Sequence, residues 1–324
     1  MAHRSDRSPI PPIAFYCVSS RLYFLGAVGL INSLRLAGHS EPIYLLDCGL
    51  TEAQRRLLDA AGTNLLAPPQ GAEPWLAKTV APLRHPAEVM ILLDADMVVT
   101  RPLTPLIDDA ARGRVVAFRN HRDRFVPEWE QVLGVGPMRR QPYLCSGLVA
   151  MSRDPGEEIL GTMRRLSDRV QIDLTYFERH VDGYPLLYAD QDVLNAILAS
   201  RVDADRIVAL DHRLAPMPPF AGLDVIDAPT LRCAFEDGSE PFVVHHSLSP
   251  KPWQRPAYDG VYSRLLRRLL AGPDVAIRPP RREVPLGLRV GTLASVERQR
   301  VKARHRLRSR LGGLIRGRPG VGSR

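Results

Sequence analysis

VMILLDADMVVTRPL, residues 89–103, runs five consecutive apolar residues, Val89 to Leu93, into two aspartates spaced two apart. A short apolar run bounded by charge reads as a strand buried on both faces. In an extended chain, residues i and i+2 point the same way, so Asp94 and Asp96 can converge on one cation. The carboxyl end of a parallel strand is where open α/β sheets bind ligands. Carboxylate oxygens are hard ligands suited to Mn²⁺ or Mg²⁺. The competing reading of Asp94-Ala95-Asp96 is a polar turn with no ligand. Asp203-Ala204-Asp205 has the same spacing, but it follows a helix and precedes a strand, Ile207 to Leu210. It reads as a solvated loop.

Outward from this strand, the first half of the chain alternates strand and helix signals. Ile13 to Val18, Ile43 to Leu46 and Leu65 to Ala67 suit strands, and Leu25 to Leu36 has helical spacing. Thr51 with Gln54 three residues on forms a capping-box pattern, and Gly62 follows that helix. Glu73 to Leu83 reads as a helix. Such alternation predicts an α/β fold with a mostly parallel central sheet flanked by helices. Farther on, Val115 to Phe118, Leu148 to Met151 and Phe242 to His245 read as strands. Pro155 to Val170, Gln191 to Ala199 and Tyr262 to Leu270 read as helices, Asp190 being a candidate N-cap for the second. Arg119 to Gln141 lacks periodicity and is expected to be a long loop.

Three segments are expected: a disordered N-terminus over 1–12, one α/β domain over 13–277, closed by Pro279 and Pro280, and a basic tail over 278–324, partly helical or disordered. The tail holds fourteen Lys or Arg and two Glu, a net of +12; the whole chain carries +9, so residues 1–277 carry −3. The basicity therefore belongs to the tail, which argues against nucleic acid as a partner of the main domain. Leu293, Val296, Ala303, Leu307, Leu311 and Leu314 approach a helical stripe among its arginines, a pattern that suits an anionic membrane surface. No apolar run is long enough to span a bilayer, and the first residues do not read as a secretory signal. The four cysteines, Cys17, Cys48, Cys145 and Cys233, are scattered, which fits reduced thiols in a cytoplasm better than zinc or a disulfide framework.

A second chemistry-bearing stretch is VVHHSLSPKPW, residues 243–253. A strand ends at a His pair; His245 can offer an imidazole to a metal and Lys251 a point charge to a phosphate. With these pieces in order the chain resembles glycosyltransferase family 8. The family has an apolar strand ending in D-x-D, a later His followed six residues on by the Lys of K-P-W, and a Lys or Arg on the helix before the D-x-D strand, here Lys78. Its D-Q-x-x-L-N signature is matched from Asp190 to Asn195. The resemblance runs from about Ile13 to Leu270.

The resemblance implies a GT-A fold and a retaining hexosyltransferase that uses a nucleotide-sugar, by default a UDP-sugar, with Mn²⁺ or Mg²⁺. Asp94, Asp96 and His245 would hold the ion, and Lys251 would stabilise the departing diphosphate. Asp190 and Gln191 would lie beside the anomeric carbon. Donor contacts would come from Ser19, Tyr23, Lys78, Asp94, Ala95, Cys145, Ser146 and Gly147. The acceptor would be a glycan or a lipid-linked precursor, and the protein would be cytoplasmic, peripheral on the inner membrane face. Two departures stand out: the turn Ser19 to Tyr23 lacks the family's base-holding acid, and Cys145 replaces a sugar-touching Asn. These motivate a non-catalytic nucleotide-sugar or glycan-binding protein as one alternative. A sugar nucleotidyltransferase is another, although Cys17 to Gly26 lacks a Gly-rich phosphate loop.

Overall fold

The structure, a computed structural model, describes residues 10–254 and 260–303. Most of the expected N-terminal segment, up to residue 9, and the end of the tail, including Leu307, Leu311 and Leu314, lie outside the described residues. In chain order the elements are β1 (Ile13–Ser19), α1 (Phe24–Leu36), β2 (Ile43–Asp47), α2 (Glu52–Ala60), β3 (Thr63–Leu66), a 3-10 turn over Pro74–Thr79 leading into α3 (Val80–Arg84), β4 (Val89–Asp94), β5 (Met97–Val99) and α4 (Thr104–Ala111). There follow β6 (Val115–Arg119), α5 (Trp129–Leu133), β7 (Leu144–Ser152), α6 (Arg153–Leu166), α7 (Asp190–Arg201), β8 (Ile207–Leu210), β9 (Leu223–Asp227), β10 (Arg232–Phe235), β11 (Val243–His245) and α8 (Val261–Ala271).

Seven strands form one sheet in the order β3-β2-β1-β4-β7-β6-β8. Only β7 runs against its neighbours, β4 and β6; the other pairings are parallel. Because β7 is flanked on both sides, β6 and β8 point the same way as β4. The ends of β1, β4, β6 and β8 therefore share one sheet edge with the start of β7.

Alternation along each strand builds two cores. Phe15 and Cys17 on β1, Ile91 and Leu93 on β4, and Leu148 and Ala150 on β7 face a layer that includes Leu30, Ile31 and Leu34 of α1 and Leu265, Leu266 and Leu269 of α8. Their neighbours Tyr16, Leu92 and Val149 face Ile159 and Leu160 of α6 and Val193, Leu194 and Ile197 of α7. This is the period-two logic of a sheet covered on both faces. The capping box at Thr51 and Gln54 forms as expected.

Two expectations are corrected. Arg119 to Gln141 is not a bare loop. Trp129 and Leu133, one turn apart on α5, are both buried, and the Trp129 indole N–H donates to the Pro185 carbonyl at 2.7 Å. A five-residue helix carries too short a period to read; packing at i and i+4 makes it. The core also continues past the expected boundary at 277. Val284 and Leu288 are buried in the α1–α8 layer, and Asn32 binds across the seam, accepting from Ile277 N at 2.9 Å and donating to the Leu269 and Ile277 carbonyls at 2.8 Å each. The proline pair marks a turn in the chain, while apolar burial sets where the domain ends. Residues 292–303 are helical.

If this segment belongs to the core, Leu288→Ala will lower the unfolding free energy by about 2–5 kcal/mol, read from the urea midpoint. A solvated tail would show no change.

Candidate active site

The D-x-D segment reaches its geometry by a different route from the extended strand predicted. β4 ends at Asp94, Ala95 and Asp96 form a turn, and the chain re-enters as β5 in a separate two-stranded ribbon with β11. In that ribbon Met97 pairs with His245, Val98 with Val244 and Val99 with Val243. The His246 N–H donates to the Asp96 carbonyl at 3.0 Å. The ribbon thus delivers His245 to the turn by register. By contrast, Asp203 and Asp205 are exposed and follow α7, as predicted for a solvated loop.

Six charged side chains then alternate in sign. Asp190 Oδ2 lies 2.9 Å from Lys78 Nζ, which lies 2.7 Å from Asp94 Oδ1. Asp94 Oδ2 is 3.7 Å from His245 Nε2, which is 3.1 Å from Asp96 Oδ1. Asp96 Oδ2 accepts from Lys251 Nζ at 2.6 Å, and Lys251 also donates to the His246 carbonyl at 2.7 Å. Asp96, His245 and Lys251 are 6%, 4% and 3% exposed. Burial alone works against the charges of Asp96 and His245, and their mutual attraction holds them. Burial works against a charged His245, but Asp96 outweighs it and raises its pKa to about 10. Burial would raise Asp96, yet His245 and Lys251 hold it below the usual carboxylate range. Asp94 is raised, chiefly by burial, with Lys78 opposing.

Asp94, Asp96 and His245 can each aim one ligand atom such that all three lie within 4.8 Å of one another. Asp96 Oδ1 and Asp190 Oδ2 are buried with no aligned hydrogen-bond donor. Each still faces an ion-pair partner, His245 Nε2 and Lys78 Nζ, and two carboxylates with an imidazole are a donor set that fits a divalent cation.

The remaining predicted residues fall around this row. Gln191 Oε1 accepts from Ser146 N at 3.2 Å, and Lys78 Nζ lies 3.4 Å from both the carbonyl and the hydroxyl oxygen of Ser146. Gly147 is forced by contact: a Cβ there would stand 2.7 Å from His245 Cε1 and 2.6 Å from Met97 Cε. Cys145 is buried at the start of β7, beside His245, and its proximity raises the imidazole pKa further. The Ala95 carbonyl lies over Gly26, where a Cβ would stand 2.5 Å away. Tyr23 has Lys251 Nζ 5.7 Å from its ring centre and meets Trp75 and Trp253 edge-on, each at 6.1 Å. Ser19 ends β1 on the same edge, one strand from Asp94, and its hydroxyl donates to the Ser20 carbonyl at 3.4 Å. Asp190 is not the N-cap of α7. Ala189 holds that position with φ of +47°, and Asp190 turns to Lys78 instead. A non-glycine residue in that region carries strain of the kind kept at sites.

Of the support beneath, the sequence had marked Asn195 alone, through the D-Q-x-x-L-N signature. Buried Asp192 accepts from Arg124 Nε at 3.0 Å, the Tyr143 hydroxyl at 2.6 Å and Tyr188 N at 2.9 Å. Asn195 ties α7 to β7, accepting from Leu144 N and donating to the Leu144 and Gln191 carbonyls, all at 2.8 Å. Trp75, one 3-10 turn before Lys78, stacks on Phe177 at 4.7 Å. A Trp three residues before a Lys eclipses it on such a turn; that spacing was the one available signal.

No protein-family model matches the chain, and no curated protein matches it in sequence. Solved structures do match. An active-site mutant of LgtC superposes with a TM-score of 0.52 at 18% identity, covering 81% of this chain and 98% of LgtC. The fold is the GT-A glycosyltransferase fold. The glycosyltransferase GlyE of Streptococcus pneumoniae TIGR4 superposes at 0.51 and 17% identity, over 81% of this chain and 61% of GlyE. The apo form of the bifunctional glycosyltransferase WbbM does so at 0.50 and 15% identity, over 84% of this chain and 51% of WbbM. Identities this low speak to the fold; the chemistry has to come from the residues.

Replacing Gly147 with Ala pushes a methyl group into the His245 ring. Mn²⁺ affinity by calorimetry should fall about 10–100-fold while the circular dichroism spectrum stays that of the parent. Unchanged affinity would remove His245 from the ligand set.

Proposed function

We propose that this chain is a metal-dependent retaining hexosyltransferase, similar to glycosyltransferase family 8, that takes a sugar from a UDP-sugar and passes it to a glycan or lipid-linked acceptor. The observation that carries this reading is the Asp94–Asp96–His245 cluster at the carboxyl edge of a GT-A sheet. Lysines bracket it on both sides.

Asp94, Asp96 and His245 would hold Mn²⁺ or Mg²⁺, which when bound supplies counter-charge to the diphosphate. Lys251 has its ammonium at the same carboxylate and lies in reach to follow a leaving phosphate. Lys78 anchors Asp190 and Asp94 together and so fixes the start of α7 against β4. Gln191 carries an amide, a poor nucleophile, and its oxygen is engaged by the Ser146 N–H. That favours front-face substitution over a covalent sugar on Gln191. The acceptor oxygen bonds to the anomeric carbon on the face the diphosphate leaves, and its proton passes to the departing phosphate oxygen. The anomeric configuration is kept. Tyr23 and Trp75 supply aromatic surface for a base, in place of the missing acid in the Ser19–Tyr23 turn.

The test is Mn²⁺-dependent release of UDP from a panel of UDP-sugars, with GDP- and TDP-sugars as controls. Wild-type protein should hydrolyse a UDP-sugar slowly, and Asp96→Asn should lose about 100-fold or more of that rate. Because His245 with its pKa of about 10 has to shed a proton to bind metal, Mn²⁺ affinity should rise about tenfold per pH unit from 6.5 to 8.5. Metal-dependent UDP-sugar binding without turnover would mark a binding protein instead.

The tail supports a peripheral membrane location on the cytoplasmic side. No helix among the described residues is long and apolar enough to cross a bilayer. Val290, Leu293 and Val296 are more than half exposed in a segment rich in arginine. Leu293→Asp with Val296→Asp should move the protein from pellet to supernatant in sedimentation with phosphatidylserine vesicles, leaving UDP release intact. Equal pelleting of both proteins would count against the tail as the anchor.

A further inference from the structure

The chain enters α7 through a bend it does not favour, and one arginine from a remote segment grips both sides of that bend. Tyr188 to Gln191 form a tight turn, closed by the Gln191 N–H on the Tyr188 carbonyl at 3.0 Å. Ala189 stands in it at φ of +47° and ψ of −116°. Those angles belong to the first corner of a type II′ turn, where glycine is the usual residue. A residue with a Cβ stays there only where its surroundings enforce it. The turn also sets the direction of Asp190, which leaves it toward Lys78 Nζ at 2.9 Å.

Enforcement traces to Arg124, which lies between β6 and α5, 68 positions before Asp192. Its Nη2 donates to the Pro185 carbonyl at 2.8 Å and to the Tyr184 carbonyl at 3.5 Å, on the chain entering the turn. Its Nε donates to Asp192 Oδ1 at 3.0 Å, on the chain leaving it. The other oxygen of Asp192 accepts the Tyr188 N–H at 2.9 Å, at the first residue of the turn. The guanidinium carbon itself lies 5.5 Å from the Tyr188 ring centre. Trp129, from the same side of the chain, adds its 2.7 Å bond to the Pro185 carbonyl. Neutralising buried Asp192 would need one cationic contact. Here a planar fork spends its remaining donors on backbone carbonyls across the bend, which a lysine ammonium on a flexible stem cannot reproduce.

Resting on the transferase reading above, we propose that Arg124 is a positioning residue: through Asp192 and the Tyr184 and Pro185 carbonyls it holds Ala189 in a glycine-like turn and so aims Asp190 and Gln191 at the point of transfer. Its effect falls on turnover and spares the binding of metal and nucleotide.

The experiment measures Mn²⁺-dependent UDP release and urea unfolding of the full chain as wild type, Arg124→Lys, Ala189→Gly and the double variant. Arg124→Lys keeps a charge beside Asp192 and removes only the fork. Its kcat should fall about 10–100-fold with KM for the UDP-sugar within about twofold of wild type. Ala189→Gly in the same chain should recover most of that loss, because glycine adopts the turn unaided. The urea midpoints should be non-additive in the same sense, with Arg124→Lys costing less in the glycine background. A general weakening of the fold would instead add equally in both backgrounds. Wild-type turnover in Arg124→Lys, a rise in KM in place of the fall in kcat, or effects that simply add overturns the proposal. If Arg124→Lys does not fold, folding of the double variant supports the proposal and its failure to fold overturns it. Absence of UDP release from the wild type would sink the transferase reading, and the urea cycle then decides by itself whether Arg124 holds the turn.

Discussion

Charge neutrality inside a nearly dry edge of the sheet is the constraint on which the rest of this protein depends. Asp190, Lys78, Asp94, His245, Asp96 and Lys251 come from six separate places in the chain and meet as alternating acids and bases. Burial works against the charged form of both Asp94 and Asp96, since desolvation of one buried charge costs several kcal/mol. Each is tolerable because a partner of opposite sign stands within 4 Å. The row is balanced with His245 protonated. On the proposed metal-dependent reading, a divalent cation would unbalance it, and the imidazole proton and the Lys251 ammonium would be the charges to give way.

The backbone arranges this with few devices. Reversal of β7 places its first residues beyond the end of β4, so that Ser146 and Gly147 overhang the site. The turn at Ala95 moves the chain from the large sheet to a three-residue ribbon, and the ribbon's register brings in His245. Two glycines allow the close layers, Gly26 under the Ala95 carbonyl and Gly147 beside the imidazole. Below them, the Asp192 and Asn195 networks hold α7 to β7, and through it the positions of Asp190 and Gln191.

Much of the fold was legible because its strands are buried runs and its helices periodic. Val89 to Leu93 read as a strand with charge at its end, and it is one. The route from there was not legible. A three-residue strand such as Met97–Val99 is below the length at which pattern informs, so convergence of Asp94 and Asp96 was expected from an extended chain and arises from a turn. Lys78 entered through family resemblance; its own sequence neighbourhood says little, because its partners are remote. Likewise the Arg124–Asp192 and Tyr143–Asp192 contacts join residues 68 and 49 positions apart, and a charged residue at 0% exposure looks like a surface residue in a string of letters. The end of the domain was misjudged because Pro279 and Pro280 punctuate local conformation, whereas burial of Val284 and Leu288 is a tertiary fact.

The ion pair between Asp96 and Lys251 spans 155 positions. During synthesis the two aspartates leave the ribosome well before the imidazole and ammonium that answer them. At about 5–20 residues per second, the nascent chain spends several seconds or more with an acidic, half-formed edge. Over that interval Lys78 can already answer Asp94, while Asp96 waits for His245 and Lys251 until the last strand of the ribbon arrives. Completion of the site thus waits on translation of the chain's C-terminal third, and a product stopped between the two halves leaves Asp96 without the charges that balance it.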